Sequence, residues 1–318
     1  MQEPPVSGRP AKVEVTSAEL EVSVTAGQRY LFMFFTESSQ INALKNRVTL
    51  FLKSLSEDQD MSNTREEYLN LGYALGPIVL NDDLLHRVNG AIDQILEEQP
   101  ERSNLGGKYQ PEQDLGKFNE AHIYCPEILE AVTQPALGKA IAQLTGTNKV
   151  QIWATQMLNK PGGTNSKASV GWHQDYQYWQ PFWTPDSDLF TVWLAFSDVK
   201  ESSGPVNFVE NSHQWGFLNV GNFFQDISEQ DGNSFPLPEG EKWKETPAIM
   251  KPGAFSLHHY HTFHGSYPNL DNAPRRSIAL HLCSENATPT PGNSGGYDYA
   301  SYLDDPKKCP IIFDSINS

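Results

Sequence analysis

The chain holds 318 residues, of which 38% are hydrophobic and 19% charged, with a formal net charge of -16. Its apolar content is enough for a buried core, and negative charge spread along the whole length argues against a phosphate backbone as partner, so nucleic acid is not expected. Cys125, Cys283 and Cys309 are too few and too scattered for a disulfide framework or a zinc spacing, which suits a reducing compartment.

No apolar run approaches the ~20 residues of a membrane span. No basic segment leads into an apolar one as in a signal peptide. A membrane partner is therefore not expected, and the expected location is the cytoplasm. Residues 1–60 open on the Pro-rich, polar MQEPPVSGRPAK and continue with mixed periodicity, which reads as a flexible or non-native extension. Thr64 and Glu67 make a capping-box pattern, so the folded unit is expected to cover 61–318, with Met61 as the native start.

From Asn81, NDDLLHRVNGAIDQILEEQ places Leu85, Val88, Ile92 and Ile95 on one face behind a polar cap and an acidic first turn, the pattern of an amphipathic helix. A second helical region is expected from Pro126 to Leu144, started by its proline and stopped by Gly146. Beyond Gly146 the character changes to short β-rich runs bounded by Gly, Pro, Asn or Asp: VQIWATQML, LFTVWLAFSDV, PVNFVE, AFSLHH and SIALHLC. Helices followed by many short strands predict an α+β protein with an antiparallel barrel or jelly-roll core. The polar stretch Gly221 to Glu245, which contains Phe223, Phe224, Phe235 and Trp243, reads either as a lid or as a solvent-exposed insertion.

The sharpest chemical signal is GWHQDYQYW, in which His173 and Asp175 are two apart. On a strand such residues share a face and can converge on one ion. By itself the pattern is common. Support comes from the other end of the domain, where five of the nine histidines fall between His258 and His281. Two histidines and one carboxylate on iron(II) leave open positions for a chelating co-substrate and O2. Among these histidines, His264 is followed eleven residues later by Arg275, and an arginine fork suits the distal carboxylate of 2-oxoglutarate. Arg276 reads as a solvated neighbour. His258, His259 and His261 read as strand histidines or hydrogen-bond partners of a ligand.

The ordered set GYALGPIVL, GKFNEAHIYCPEILEAV, QMLNKPGG, WHQD, TVWLAFSDVKESSGPVNFVENSHQWG, HGS and PRR resembles the phytanoyl-CoA dioxygenase family of iron(II)/2-oxoglutarate oxygenases, from about Glu66 to Cys283. The resemblance implies a double-stranded β-helix with iron ligands His173, Asp175 and His264. It also implies that Arg275 and Ser266 bind the distal carboxylate, with Lys117, Met157 and Trp193 at further co-substrate positions. Gln156 is the alternative match for Met157. Halogenating relatives lack the carboxylate that Asp175 supplies here, so the implied chemistry is hydroxylation or a related oxidation of a C–H bond, consuming 2-oxoglutarate and O2 and releasing succinate and CO2.

The aromatic cluster beside the motif either lines a substrate pocket or packs the barrel, with Tyr176 and Trp179 as the candidate substrate contacts. No concentrated basic patch for a CoA phosphate is evident, which favours a smaller metabolite as substrate. A cupin-like metal protein without oxygenase activity is the competing reading, and a zinc hydrolase a weaker one; neither needs Arg275. The sequence carries no indication of oligomeric state.

Overall fold

The computed structural model describes residues 65–97, 115–163, 167–291 and 299–316, together with strands β1 (Leu20–Glu21) and β2 (Phe32–Met33). The chain divides into two compact units, Met1–Gln59 and Asp60–Ser318. In the first, β1 and β2 pair antiparallel. The rest of the expected extension, like the capping box at Thr64, lies outside the described residues.

The second unit begins with helix α1 (residues 65–71) and strand β3 (Tyr73–Gly76). Helix α2 (Asp82–Glu97) buries Leu85, Val88, Ile92 and Ile95, as the periodicity predicts. Asn81 caps it, its side-chain oxygen accepting from the Leu84 amide at 2.9 Å. After β4 (Gly116–Asn119) and the single turn α3 (Ala121–Tyr124), the expected second helical region is two helices, α4 (Pro126–Val132) and α5 (Pro135–Thr145). The interruption has a local cause: Pro135 lacks an amide proton and crowds the preceding turn, so α4 ends at Thr133 and α5 starts anew.

Strands β5 (Lys149–Lys160) and β6 (Val170–His173) follow, then the short helix α6 (Tyr176–Trp179). The remaining strands are β7 (Leu189–Ala195), β8 (Val206–Val209), β9 (Glu245–Pro247), β10 (Phe255–His259), β11 (His264–Ser266), β12 (Arg275–Cys283) and β13 (Ile311–Asp314). They form two antiparallel sheets. The larger runs β13-β5-β12-β7-β10-β3, with β4 also on β5, and the smaller runs β6-β11-β8-β9.

One face of the larger sheet packs on the helices: Val150, Ile152, Val192, Leu257 and Leu280 share a core with Val88, Ile92 and Ile141. Arg276 fastens the same face, bonding Asp93 and Asn89 of α2 and Asn159 of β5, so it is a sheet-to-helix tie rather than a solvated arginine. The other face meets the smaller sheet, with Trp193, Ala195 and Ala279 packed on Val206 and Phe208.

Between β5 and β12 the register slips, with His281 opposite Ala154 and Leu282 opposite Ile152. The extra residue, Trp153, is a β-bulge that inverts the alternation along β5. No described helix is long and apolar enough to cross a membrane.

Candidate metal and carboxylate site

The two sheets enclose a cavity of ≈ 390 Å³ that reaches His173, Asp175 and His264. His173 and His264 are directly opposed in the β6–β11 pairing, with ring centroids 4.1 Å apart. Asp175 is not on the strand: β6 ends at His173, and Asp175 opens helix α6 with helical backbone angles. The same-face argument from strand geometry therefore does not hold for this pair, yet the turn brings the carboxylate round. One ligand atom from each of the three residues lies within 4.8 Å of the others.

The aim of each group is set by hydrogen bonds. His173 Nδ1 lies 2.8 Å from the Gly171 carbonyl, and His264 Nδ1 lies 3.0 Å from the Thr262 carbonyl. Each carbonyl fixes the proton on Nδ1 and leaves the Nε2 lone pair free. Those two Nε2 atoms sit 3.8 Å and 3.7 Å from Asp175 Oδ1. Asp175 Oδ2 is occupied otherwise, accepting from the Thr191 hydroxyl at 2.6 Å and lying 3.2 Å from His258 Nε2.

Burial pushes the His173 imidazole down, and burial followed by the charge of His173 takes His264 down to about 4. Both are therefore neutral at pH 7, the state a metal ligand needs. Burial alone would raise Asp175, but His264, His258 and His281 outweigh it and hold the carboxyl below the usual range. Two neutral imidazoles and one carboxylate, buried and with three lone pairs facing one point, fit a divalent first-row metal with open positions.

The second part of the site is cationic. Arg275 is 1% exposed, lies over the Trp193 ring at 4.8 Å, and donates from one terminal nitrogen to the Gly204 carbonyl. Its Nε has no partner, and burial lowers its pKa to about 9, which still leaves it charged. Ser266 lines the same cavity. Lys117 does so as well, its Nζ 4.7 Å from the Phe223 ring and its pKa lowered by burial to about 8.

Two expected contacts are displaced. Met157 is buried among the residues packed on the helices, whereas Gln156 lines the cavity; the Trp153 bulge is the reason, because it exchanges the two faces of β5. Tyr176 packs against Phe217, Tyr260 and His261, away from the cavity lining. Trp179 does line it, together with Tyr178 and Phe182. The motif continues as a helix rather than a strand, so residues three, four and seven beyond Asp175 share its face and Tyr176 points elsewhere.

Sequence reasoning missed Thr191, which contacts Asp175, Lys160, which contacts Ser266, and Glu120. Glu120 lines the cavity, is held at φ 56°, and has its carboxyl raised by burial to about 8. Lys160 carried no local signal, because its place opposite Arg275 is set by the β5–β12 register.

The segment from Gly221 to Glu245 is a structured cover. It contains two 3-10 turns, and Phe223 sets its ring edge-on to His173 at 5.0 Å. The Phe223 amide donates to the Tyr178 hydroxyl at 2.9 Å. Gly171 permits the approach, since a Cβ there would lie 2.1 Å from the Asn222 carbonyl oxygen. The turn at Asn211, Ser212 and His213 is structural: Ser212 Oγ donates to Val209 O and accepts from the Phe263 amide.

Comparison with known proteins agrees with this geometry. A probable alpha-ketoglutarate-dependent hypophosphite dioxygenase of Stutzerimonas stutzeri is 25% identical over 194 residues, covering 59% of this chain and 64% of that protein. The phytanoyl-CoA dioxygenase domain-containing protein 1 of Danio rerio is 27% identical over 193 residues, covering 57% and 62%. The match thus spans less than two thirds of either relative's length.

Among solved structures, the epimerase SnoN in complex with Fe3+, alpha ketoglutarate and nogalamycin RO superposes with a TM-score of 0.60 at 18% identity, covering 78% of this chain and 90% of that one. The alpha ketoglutarate-dependent carbocyclase SnoK gives 0.59 at 20% identity, covering 74% and 88%. These structures share the fold. The sequence profile described as Phytanoyl-CoA dioxygenase (PhyH) matches residues 68–277, which include all three converging ligand residues, Arg275 and the whole of the smaller sheet; the chain belongs to the phytanoyl-CoA dioxygenase family.

Proposed function

We propose that residues 61–318 form an iron(II)- and 2-oxoglutarate-dependent dioxygenase that oxidises a C–H bond of a small-molecule metabolite. His173, Asp175 and His264 hold the metal, and the two facing sheets are the halves of a double-stranded β-helix. The observation that carries this reading is the pairing, in one cavity, of two neutral imidazoles and a carboxylate with a buried guanidinium that no described carboxylate neutralises. A metal protein without oxygenase activity has no need of the second half. An uncompensated buried cation is costly to keep and is explained by an anionic ligand.

In this reading, Arg275 and the Ser266 hydroxyl grip the distal carboxylate of 2-oxoglutarate. Trp193 holds the guanidinium plane from one face. Thr191 and His258 hold Asp175 Oδ2, which leaves Oδ1 for the metal. Lys117 and Gln156 reach the cavity as further polar contacts, while Trp153, Trp179 and Phe182 supply an apolar wall for the metabolite and keep water out. Bound iron(II) and 2-oxoglutarate supply the oxidising power, with O2 consumed and succinate and CO2 released.

The test is anaerobic addition of iron(II) and 2-oxoglutarate, read as the weak visible charge-transfer absorption, followed by a metabolite screen for succinate release. Absence of the absorption where a known oxygenase shows it would overturn the proposal.

A further inference from the structure

Where β5 runs into the Pro161–Gly163 turn, Lys160 is 0% exposed. Its Nζ is surrounded by three oxygens: Ser266 Oγ at 2.7 Å, Tyr267 O at 2.6 Å and Ser266 O at 3.4 Å. Only an ammonium has three N–H donors to meet them, so the surroundings are those of the charged form even though burial, and then Arg275, disfavour it. Lys160 stands directly opposite Arg275 in the β5–β12 register, which puts their Cβ atoms roughly 5 Å apart. No described carboxylate pairs with either. Two buried cations side by side repel each other, and the arrangement makes sense only if an anion joins them.

Ser266 shows where that anion goes. Because Lys160 donates to Ser266 Oγ, a lone pair of the hydroxyl is taken from behind. The O–H must then point away from the ammonium, and Ser266 lines the cavity on its other side. A serine hydroxyl left to itself rotates and can offer either its proton or a lone pair. Here it is fixed as a donor.

We propose that Lys160 is a positioning residue for the acidic tail of the co-substrate. Through Ser266 it presents an O–H donor to the cavity, and with Arg275 it makes the subsite select 2-oxo acids that end in an anion. This rests on the 2-oxoglutarate reading above.

The full chain, loaded with Mn(II), is titrated calorimetrically with 2-oxoglutarate and with 2-oxobutyrate, which keeps the chelating end but lacks the distal carboxylate. In Lys160→Met, 2-oxoglutarate binding weakens about tenfold or more, 2-oxobutyrate binding stays as in the wild type, and Mn(II) affinity without either acid is unchanged. The preference for the dicarboxylate therefore shrinks. Lys160→Gln, which can still donate one bond to Ser266 without a charge, falls between.

Unchanged 2-oxoglutarate binding in Lys160→Met overturns the proposal, as does equal weakening of both acids, the mark of a merely structural lysine. If Lys160→Met does not fold, the same comparison in Lys160→Gln decides. If the wild type itself binds 2-oxoglutarate no better than 2-oxobutyrate, the co-substrate reading fails, and that result is separate from any effect of the variants.

Discussion

The Thr191 hydroxyl donates to Asp175 Oδ2 at 2.6 Å, reaching across from β7 to the first turn of α6. With that oxygen engaged, Oδ1 is left to face the two imidazoles. Thr191→Val keeps the side-chain shape and deletes the shorter of the two contacts on Oδ2, which leaves the carboxylate held there by His258 alone. We expect iron(II) affinity to fall about 10- to 100-fold with the fold intact, measured by competition against a fluorescent chelator. Wild-type affinity in this variant would mean that the threonine does not orient the ligand.

Removing a ligand outright is more drastic. His173→Ala, Asp175→Ala and His264→Ala should each abolish succinate formation. Elemental analysis of protein equilibrated with iron(II) should show substoichiometric metal. A variant that retained both metal and turnover would remove its residue from the proposed donor set.

Arg275→Ala is expected to weaken 2-oxoglutarate binding by a hundredfold or so, on the order of 3 kcal/mol for a buried charge-assisted pair, while iron(II) binding without co-substrate stays near normal. Titration of the charge-transfer absorption separates the two quantities. Equal loss of both would indicate a collapsed cavity rather than a lost clamp.

Met157 and Gln156 make a paired test of the bulge. Met157→Ala should destabilise the protein by about 2–5 kcal/mol and leave 2-oxoglutarate affinity alone, because its side chain is buried against the helices. Gln156→Ala should do the reverse. Urea unfolding and calorimetry on the same two variants decide, and a swapped outcome would place Met157 in the cavity after all.

Acid should loosen the fold through a histidine cluster outside the metal site. Burial, then His261, His213 and His258, takes His259 down to about 3, and burial followed by His213 takes His261 to about 4. An unfolded histidine titrates near 6.5. Between about pH 6.5 and 4 the unfolded chain therefore takes up protons that the folded chain refuses, and stability falls as pH drops through that window. The slope is ~1.4 kcal/mol per pH unit for each ring that titrates fully. Urea melts of metal-free protein at stepped pH should show the decline, and His259→Gln should make it shallower; parallel curves would show that His259 does not contribute.

Much of this was legible beforehand. Helix α2 could be read from its apolar stripe because one face is solvated and one buried, and the β-rich runs from VQIWATQML onward correspond to strands for the same kind of local reason. The family resemblance singled out His173, Asp175, His264 and Arg275, and the fold brings these four to one cavity. What escaped detection depends on non-local register.

The Trp153 bulge leaves no mark in the composition of β5, yet it decides that Gln156 and not Met157 meets the cavity. Four residues of α6 are too few to show a period, so nothing in the sequence tells Tyr176, which turns away from the cavity, from Trp179, which lines it. Lys160 looks like any lysine before a Pro-Gly turn until pairing with β12 buries it beside Arg275.

Each imidazole takes its orientation from a carbonyl only two residues before it, Gly171 for His173 and Thr262 for His264. Such short tethers close almost no loop and survive small shifts between the sheets. The two rings are thus preorganised, and a metal ion arriving at the centre freezes few additional rotors. Capture then needs little rearrangement, and the price of assembling the centre falls on folding itself rather than on the encounter with iron.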